Sequence, residues 1–103
     1  MKYELTTETR NGLTRIRALT AIPKFGVKAG DLGGWVESTA NLSQEGACWV
    51  SGDAWVSGDA WVYGNAWVYG NAWVSGDARV SGDAWVSGNA WVYGNAWVYG
   101  NAW

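Results

Sequence analysis

The sequence has no histidine, and its 103 residues include only one cysteine, one proline, one methionine and one phenylalanine. Without histidine the chain lacks the side chain whose ordinary pKa lies nearest neutrality. That absence argues against the usual general base of acyl transfer, against a Ser-His-Asp triad and against histidine-ligated zinc. No stretch of about 20 apolar residues occurs, so no helical membrane span is expected. Met1-Lys2-Tyr3-Glu4 leads into no apolar h-region, so no signal peptide is expected either. What is abundant is tryptophan, with ten residues, and glycine, with fifteen.

Both concentrate between Cys48 and Trp103, where the chain repeats in units of six: Ala, Trp, Val, Ser or Tyr, Gly, then Asp or Asn. A six-residue unit is too short to fold alone and must stack on its neighbours, as solenoid repeats do. Trp, Val and Tyr favour extended backbone. Gly with Asp or Asn suits a corner. Side chains alternate along a strand, so Ala and Val share one face while Trp shares the other with Ser or Tyr. Ala54, Val56, Ala60, Val62 and their equivalents fill a narrow lumen without strain, and the indoles are assigned to the outside. Cys48 falls on an inward Ala position and reads as a small buried hydrophobe, not an exposed reactive thiol. The register extends upstream through Val36 and Leu42, with two extra residues in the corner at 44–47, giving rungs that start near residues 34, 40, 48, 54 and every six thereafter.

Ahead of the repeats, Lys2 to Thr6 reads as a strand and Asn11-Gly12 as a tight turn. Leu13 to Thr20 alternates as the returning strand, which Pro23 ends. An antiparallel hairpin of 2–6 with 13–20 is expected, within a cap and lead-in at 1–33 that precedes a helix at 34–103. A solenoid end is a set of unpaired strand edges around an open lumen, so a cap has a physical task. Phe25, Leu32 and members of the set Leu5, Leu13, Ile16 and Leu19 are the expected plug. The first thirty residues are basic, with Lys2, Arg10, Arg15, Arg17, Lys24 and Lys28 against Glu4 and Glu8, while the rest is acidic.

The Ala-x-Val unit with its Gly-Asn corner resembles the hexapeptide pattern of left-handed parallel β-helices. That resemblance implies an all-β, single-stranded, triangular left-handed helix of about 18 residues per coil, here about four coils, with an N-terminal antiparallel β-hairpin cap. Many such proteins are acyltransferases with a catalytic histidine, which this chain does not have, so no enzymatic activity is expected. The segments Lys2-Tyr3-Glu4-Leu5-Thr6, Arg15-Ile16-Arg17-Ala18-Leu19 and Ala29-Gly30-Asp31-Leu32-Gly33-Gly34-Trp35-Val36-Glu37 resemble the opening of repeat proteins from prophages and gut bacteria. This second resemblance implies fold and phage origin, with a cytoplasmic location in a bacterial host, and no chemistry.

Stacking by eighteen sorts the candidate site residues into columns. Trp35, Trp55, Trp73 and Trp91 form one, and Trp49, Trp67, Trp85 and Trp103 a second. The third reads Asn41, Trp61, Arg79 and Trp97, with Arg79 a cation–π spacer between its two indoles. Tyr63, Tyr69, Tyr93 and Tyr99 are expected to add partial second columns. Contiguous aromatic area marks an interface, and with few charges around it a protein partner or a second copy fits best. A glycan stacked on flat indoles is the alternative. Single-stranded nucleic acid wants a basic groove, which the acidic helix does not offer. The acidic corners lack the oxygen count of a calcium site, so neither metal nor cofactor is expected. The sequence ends in mid-strand, which leads to the expectation of an end-to-end dimer through Ala96, Trp97, Val98, Tyr99, Ala102 and Trp103.

Overall fold

A computed structural model describes residues 2–100. The fold is an all-β solenoid. Twelve strands run in chain order: β1 (Tyr3–Arg10), β2 (Leu13–Ala18), β3 (Leu32–Val36), β4 (Trp49–Val50), β5 (Trp55–Val56), β6 (Trp61–Val62), β7 (Trp67–Val68), β8 (Trp73–Val74), β9 (Arg79–Val80), β10 (Trp85–Val86), β11 (Trp91–Val92) and β12 (Trp97–Val98). They form three sheets, in the orders β1-β2-β3-β5-β8-β11, β10-β7-β4 and β12-β9-β6. Each sheet is one side of a triangular coil. Partners in the regular part are eighteen residues apart, as in Trp67 with Trp85 and Val68 with Val86. Among the first rungs the offset is twenty, as in Trp35 with Trp55, which places the two extra residues in the corner before Cys48 as expected.

The strands are short because every six-residue unit must also turn. At the regular corners Gly takes φ of +63° to +72° while Asp or Asn keeps negative φ, and at most of them the following Ala N–H donates back to the carbonyl of the Ser or Tyr before the Gly. Positive φ at the first central residue of such a turn is what glycine supplies. In the inserted corner Gly46 is also held by space, since a Cβ built there would lie 2.4 Å from the Gly64 carbonyl oxygen of the next coil.

The lumen is as the alternation demands. Ala54, Val56, Ala60, Val62, Ala66, Val68, Ala72, Val74, Ala78 and Val80 are all buried, in one continuous core with Cys48. The hairpin extends one sheet of this prism. β1 pairs with β2 antiparallel through the two-residue turn Asn11-Gly12, and β2 pairs antiparallel with β3, which then pairs parallel with β5. The first strand runs on to Arg10, longer than expected, because the turn closes in two residues and Thr7 to Arg10 stay in the strand.

The plug differs from the expected set. Leu5, Leu19 and Leu32 are exposed, and Phe25 lies against the outer wall. Leu13 and Ile16 are buried as proposed, but Tyr3, Ile22 and Val27 complete the cap's core. Tyr3, Ile16 and Ala18 join the core, whereas Leu13 is buried outside it and Leu5 is exposed, with register irregularities after Leu5 in β1 and between Arg15 and Arg17 in β2 breaking the simple alternation. The rung expected near residue 40 is also not a strand. Thr39–Asn41 forms a 3-10 turn, and Leu42 makes an isolated bridge to Val62.

Asn41 explains that departure. Its side chain is fully buried where the repeat has Trp. The amide oxygen accepts from the backbone N–H groups of Glu37 (2.9 Å) and Ser38 (2.8 Å), and the amide nitrogen donates to the carbonyls of Gly58 (3.1 Å) and Ala60 (2.8 Å). One side chain thus meets four backbone groups, of which the Glu37 N–H also donates to the Val56 carbonyl at 3.1 Å. Gln44 does the same for the cap: Oε1 accepts from the N–H groups of Lys2 and Tyr3, and Nε2 donates to the Tyr3 carbonyl. Asn41→Ala leaves buried donors and acceptors unpaired and is expected to cost about 2–3 kcal/mol. Asn41→Asp is expected to be no better, since a carboxylate would face two carbonyls. Urea unfolding followed by tryptophan fluorescence measures both; an alanine variant within about 0.5 kcal/mol of wild type would show that water replaces the amide.

Candidate functional site

Trp precedes Val in each unit, so it points away from the lumen, and parallel pairing in register carries it into columns. Trp35, Trp55, Trp73 and Trp91 are consecutive partners on one side. Trp49, Trp67 and Trp85 are consecutive on the second; Trp103, assigned to this column, lies outside the described residues, as does Ala102. On the third side Trp61, Arg79 and Trp97 follow one another. The columns are as read from the repeat, but their exposure is not uniform.

The cap covers the first indole of two columns. Trp35, expected to be free, is 1% exposed, with the guanidinium of Arg10 4.4 Å and that of Arg15 5.5 Å from its ring centroid. Trp49 is likewise 1% exposed, with Tyr3 edge-on at 6.3 Å. Phe25 stacks on Trp67 at 4.6 Å and 20°, shielding the second column further. Trp35 and Trp49 therefore fasten the cap and are withdrawn as candidate binding residues. The repeat marks them as outward, and nothing in the repeat marks what lies over them. On the third side the Arg79 guanidinium lies 5.3 Å from the Trp97 ring, whereas Trp61 packs on Tyr63 at 4.1 Å, so the arginine is a spacer toward one neighbour. Tyr69 leans on Trp67 in the same way. Tyr63 and Tyr69 thus pair with the indole two residues earlier, and the tyrosine columns are interrupted by Ser.

The third side stays exposed at Trp61, Trp97 and Tyr99, and the first column remains accessible from Trp55 to Trp91. Its rings do not lie flat. Trp55 and Trp73 meet at 5.1 Å and 72°, and Trp73 and Trp91 at 5.1 Å and 75°. Tilted rings leave grooves. One, of about 310 Å³, is lined by Arg10, Asp53, Trp55, Asn71, Ala72 and Trp73. The next, of about 390 Å³, is lined by Trp73, Ser75, Trp91 and Tyr93. Trp91 and Tyr93 are 64% and 66% exposed. Arg10 ties the rim of the first groove to the cap through a 3.9 Å ion pair with Asp53. Among the described residues the buried Trp73 indole N–H meets no hydrogen-bond acceptor, while that of Trp67 donates to Ser51 Oγ at 3.1 Å. Among the residues assigned to self-association, Ala96, Trp97, Val98 and Tyr99 stand in or beside β12, the outer strand of its sheet.

A buried polar cluster where cap meets coil was not read from the sequence. Tyr3 donates its hydroxyl to the carbonyls of Leu42 (2.5 Å) and Thr39 (3.2 Å). Lys2, counted only as part of a basic cap, is itself buried against Cys48. The two-residue insertion at 44–47 was the available signal, because it opens the corner that these side chains enter. Burial holds the Cys48 thiol above its ordinary pKa, partly offset by the Lys2 ammonium.

The repeats themselves have relatives. Residues 60–76, 72–88, 78–94 and 84–100 match the family model of the YdcK beta solenoid repeat. This is a repeat β-solenoid protein. No curated protein sequence matches it.

Tyr3 gives the cap a pH dependence. Burial, with the Cys48 thiol as the smaller cause, raises its hydroxyl from 10.0 to about 12. The folded state thus favours the protonated phenol more than the unfolded chain does. That contribution is complete below pH 10 and is lost as pH rises toward about 12. Urea midpoints measured across this window are expected to fall for wild type and to fall less for Tyr3→Phe; equal slopes would place the titration elsewhere.

Proposed function

We propose that this is a non-catalytic interaction protein that binds a protein partner through the face carrying Trp55, Trp73, Trp91 and Tyr93, with a second copy of the chain as the first candidate. The observation that carries this reading is the tilted indole column with its two grooves, which the cap leaves uncovered while occupying Trp35, Trp49 and Trp67. Contiguous aromatic surface with a polar rim is the composition of a binding hot spot. Arg10, Asp53, Asn71 and Ser75 supply such a rim. The phage or prophage origin, and with it a bacterial cytoplasm, rests on the resemblance of the opening segments.

Glycan binding remains the second reading, because charged and amide groups of Arg10, Asp53 and Asn71 adjoin the indoles of Trp55 and Trp73. The tilt of the rings speaks against it, since a sugar ring stacks on a flat aromatic face.

Sedimentation over a wide concentration range tests the first candidate. A reversible dimer is expected, weakened at least about tenfold by Trp91→Ala with Tyr93→Ala, because truncating hot-spot aromatics costs more than about 1 kcal/mol each. A strict monomer at every concentration overturns self-association. Retention on a polysaccharide matrix, lost in Trp55→Ala with Trp73→Ala, would move the assignment to glycans.

A further inference from the structure

The cap and the first regular coil meet at a buried lysine–cysteine contact that the aromatic faces do not involve. Lys2 is 7% exposed and Cys48 fully buried. Lys2 Nζ lies 3.1 Å from Cys48 Sγ and donates to the Cys48 carbonyl at 2.7 Å. The carbonyls of Gly46 (3.4 Å) and Glu45 (3.5 Å) complete its surroundings. On the sulfur side, the carbonyls of Ser43, Glu45 and Val62 stand at 3.4, 3.7 and 3.6 Å. Among the described residues no carboxylate pairs with Lys2, so the amine and the thiol are each other's nearest reactive group. The two are 46 residues apart in sequence, one at the start of the cap and the other in the first lumen layer.

We propose that Lys2 and Cys48 are a covalent modification site, joined under dioxygen through one bridging oxygen as Nζ–O–Sγ. The Lys2 ammonium first gives up one proton to solvent, and the step then runs from the free amine and the thiol. One N–H bond, the S–H bond and the O=O bond break; the N–O and O–S bonds form; the second oxygen leaves as water with the two displaced hydrogens. Nitrogen and sulfur give up two electrons each, and dioxygen accepts all four. Burial favours this outcome over the ordinary oxidation ladder of cysteine. A small apolar oxidant enters an apolar lumen more readily than a bulky thiol or a charged oxidant, and the sulfur already has an amine within contact distance. The bridge would fasten β1 to the coil wall at the point where the insertion at 44–47 opens the corner. Reduction would release it.

The test uses the full chain, first reduced and then held either in oxygen-saturated buffer or under nitrogen. Oxygen is expected to raise the intact mass by about 14 Da, the gain of one oxygen and loss of two hydrogens, and to remove the single thiol from titration in denaturant. Dithiothreitol is expected to restore both. Tryptic mapping of the oxidised protein is expected to join the fragment holding residue 2 to that holding residue 48. Mapping also separates this product from tryptophan oxidation. Lys2→Arg, which keeps the charge, and Cys48→Ser are each expected to lose the joined fragment. The proposal is overturned if the wild-type thiol stays titratable after oxygen, or if Cys48 carries sulfinic or sulfonic acid while Lys2 is unmodified; both readouts come from wild-type protein and stand whether or not the variants fold.

Discussion

Backbone hydrogen bonds between successive coils set everything else in this molecule. In the regular part the Trp N–H groups donate to a carbonyl one coil further on, as Trp49 does to Ala66 at 3.0 Å and Trp67 to Ala84 at 3.0 Å, and Asp53 donates to Gly70 at 3.1 Å, so even corners join the ladder. A buried amide without a partner is costly, which leaves little freedom in register. With register fixed, side-chain direction is fixed too. Ala and Val fill the lumen, Gly occupies the corner where φ must be positive, and Trp falls outside. The alternation is two and the unit is six, so no residue of the repeat changes face from one coil to the next.

The same constraint explains the shape of the aromatic face. Neighbouring coils stand about 4.8 Å apart. Carbon atoms in good contact are about 3.5–4.0 Å apart, so two indoles held at the coil spacing cannot touch face to face. They gain contact by tilting, and aromatic pairs favour such edge-to-face geometry at centroid separations of about 4.5–7 Å. The observed 5.1 Å with 72° and 75° on the first column, and 5.4 Å with 85° between Trp67 and Trp85, follow from that. A column that looks like a flat platform when written as a repeat is therefore a corrugated wall with grooves beside the ridges.

Period and alternation made the lumen residues, the corners, the pairing by eighteen and the position of the two-residue insertion legible before any coordinates. They could not place the cap against the coil. Trp35 and Trp49 carry the same Trp-Val pair as Trp73 and Trp85, yet the first two are buried because Arg10, Arg15 and Tyr3 lie over them. Phe25 follows the chain's single proline and reads as a plug, but a 3-10 turn at Pro23–Phe25 carries it to the outer wall, onto Trp67. Asn41 was misread for a related reason. It occupies a Trp position in the count of six, and only its four backbone contacts show that it replaces a strand. Such contacts join segments without a common period, and the pattern is silent about them.

The cap therefore determines which part of an otherwise uniform surface is available. By covering the start of two columns and shielding Trp67, it leaves Trp61, Trp97 and Tyr99 exposed on the third side and, on the first, a face where Trp55, Trp73, Trp91 and Tyr93 follow one another. It also supplies that face with Arg10, whose pairing with Asp53 places a cation and a carboxylate at the rim of the first groove. An apolar side chain of a partner can enter between tilted rings and bury its area there, while the rim groups are satisfied at the edge, which is the division between core and rim that protein interfaces use. A flat sugar ring gains less from the same wall, because it meets edges and ridges instead of an indole face. The geometry that backbone pairing imposes on the indoles thus favours a partner that inserts side chains over a ligand that lies flat.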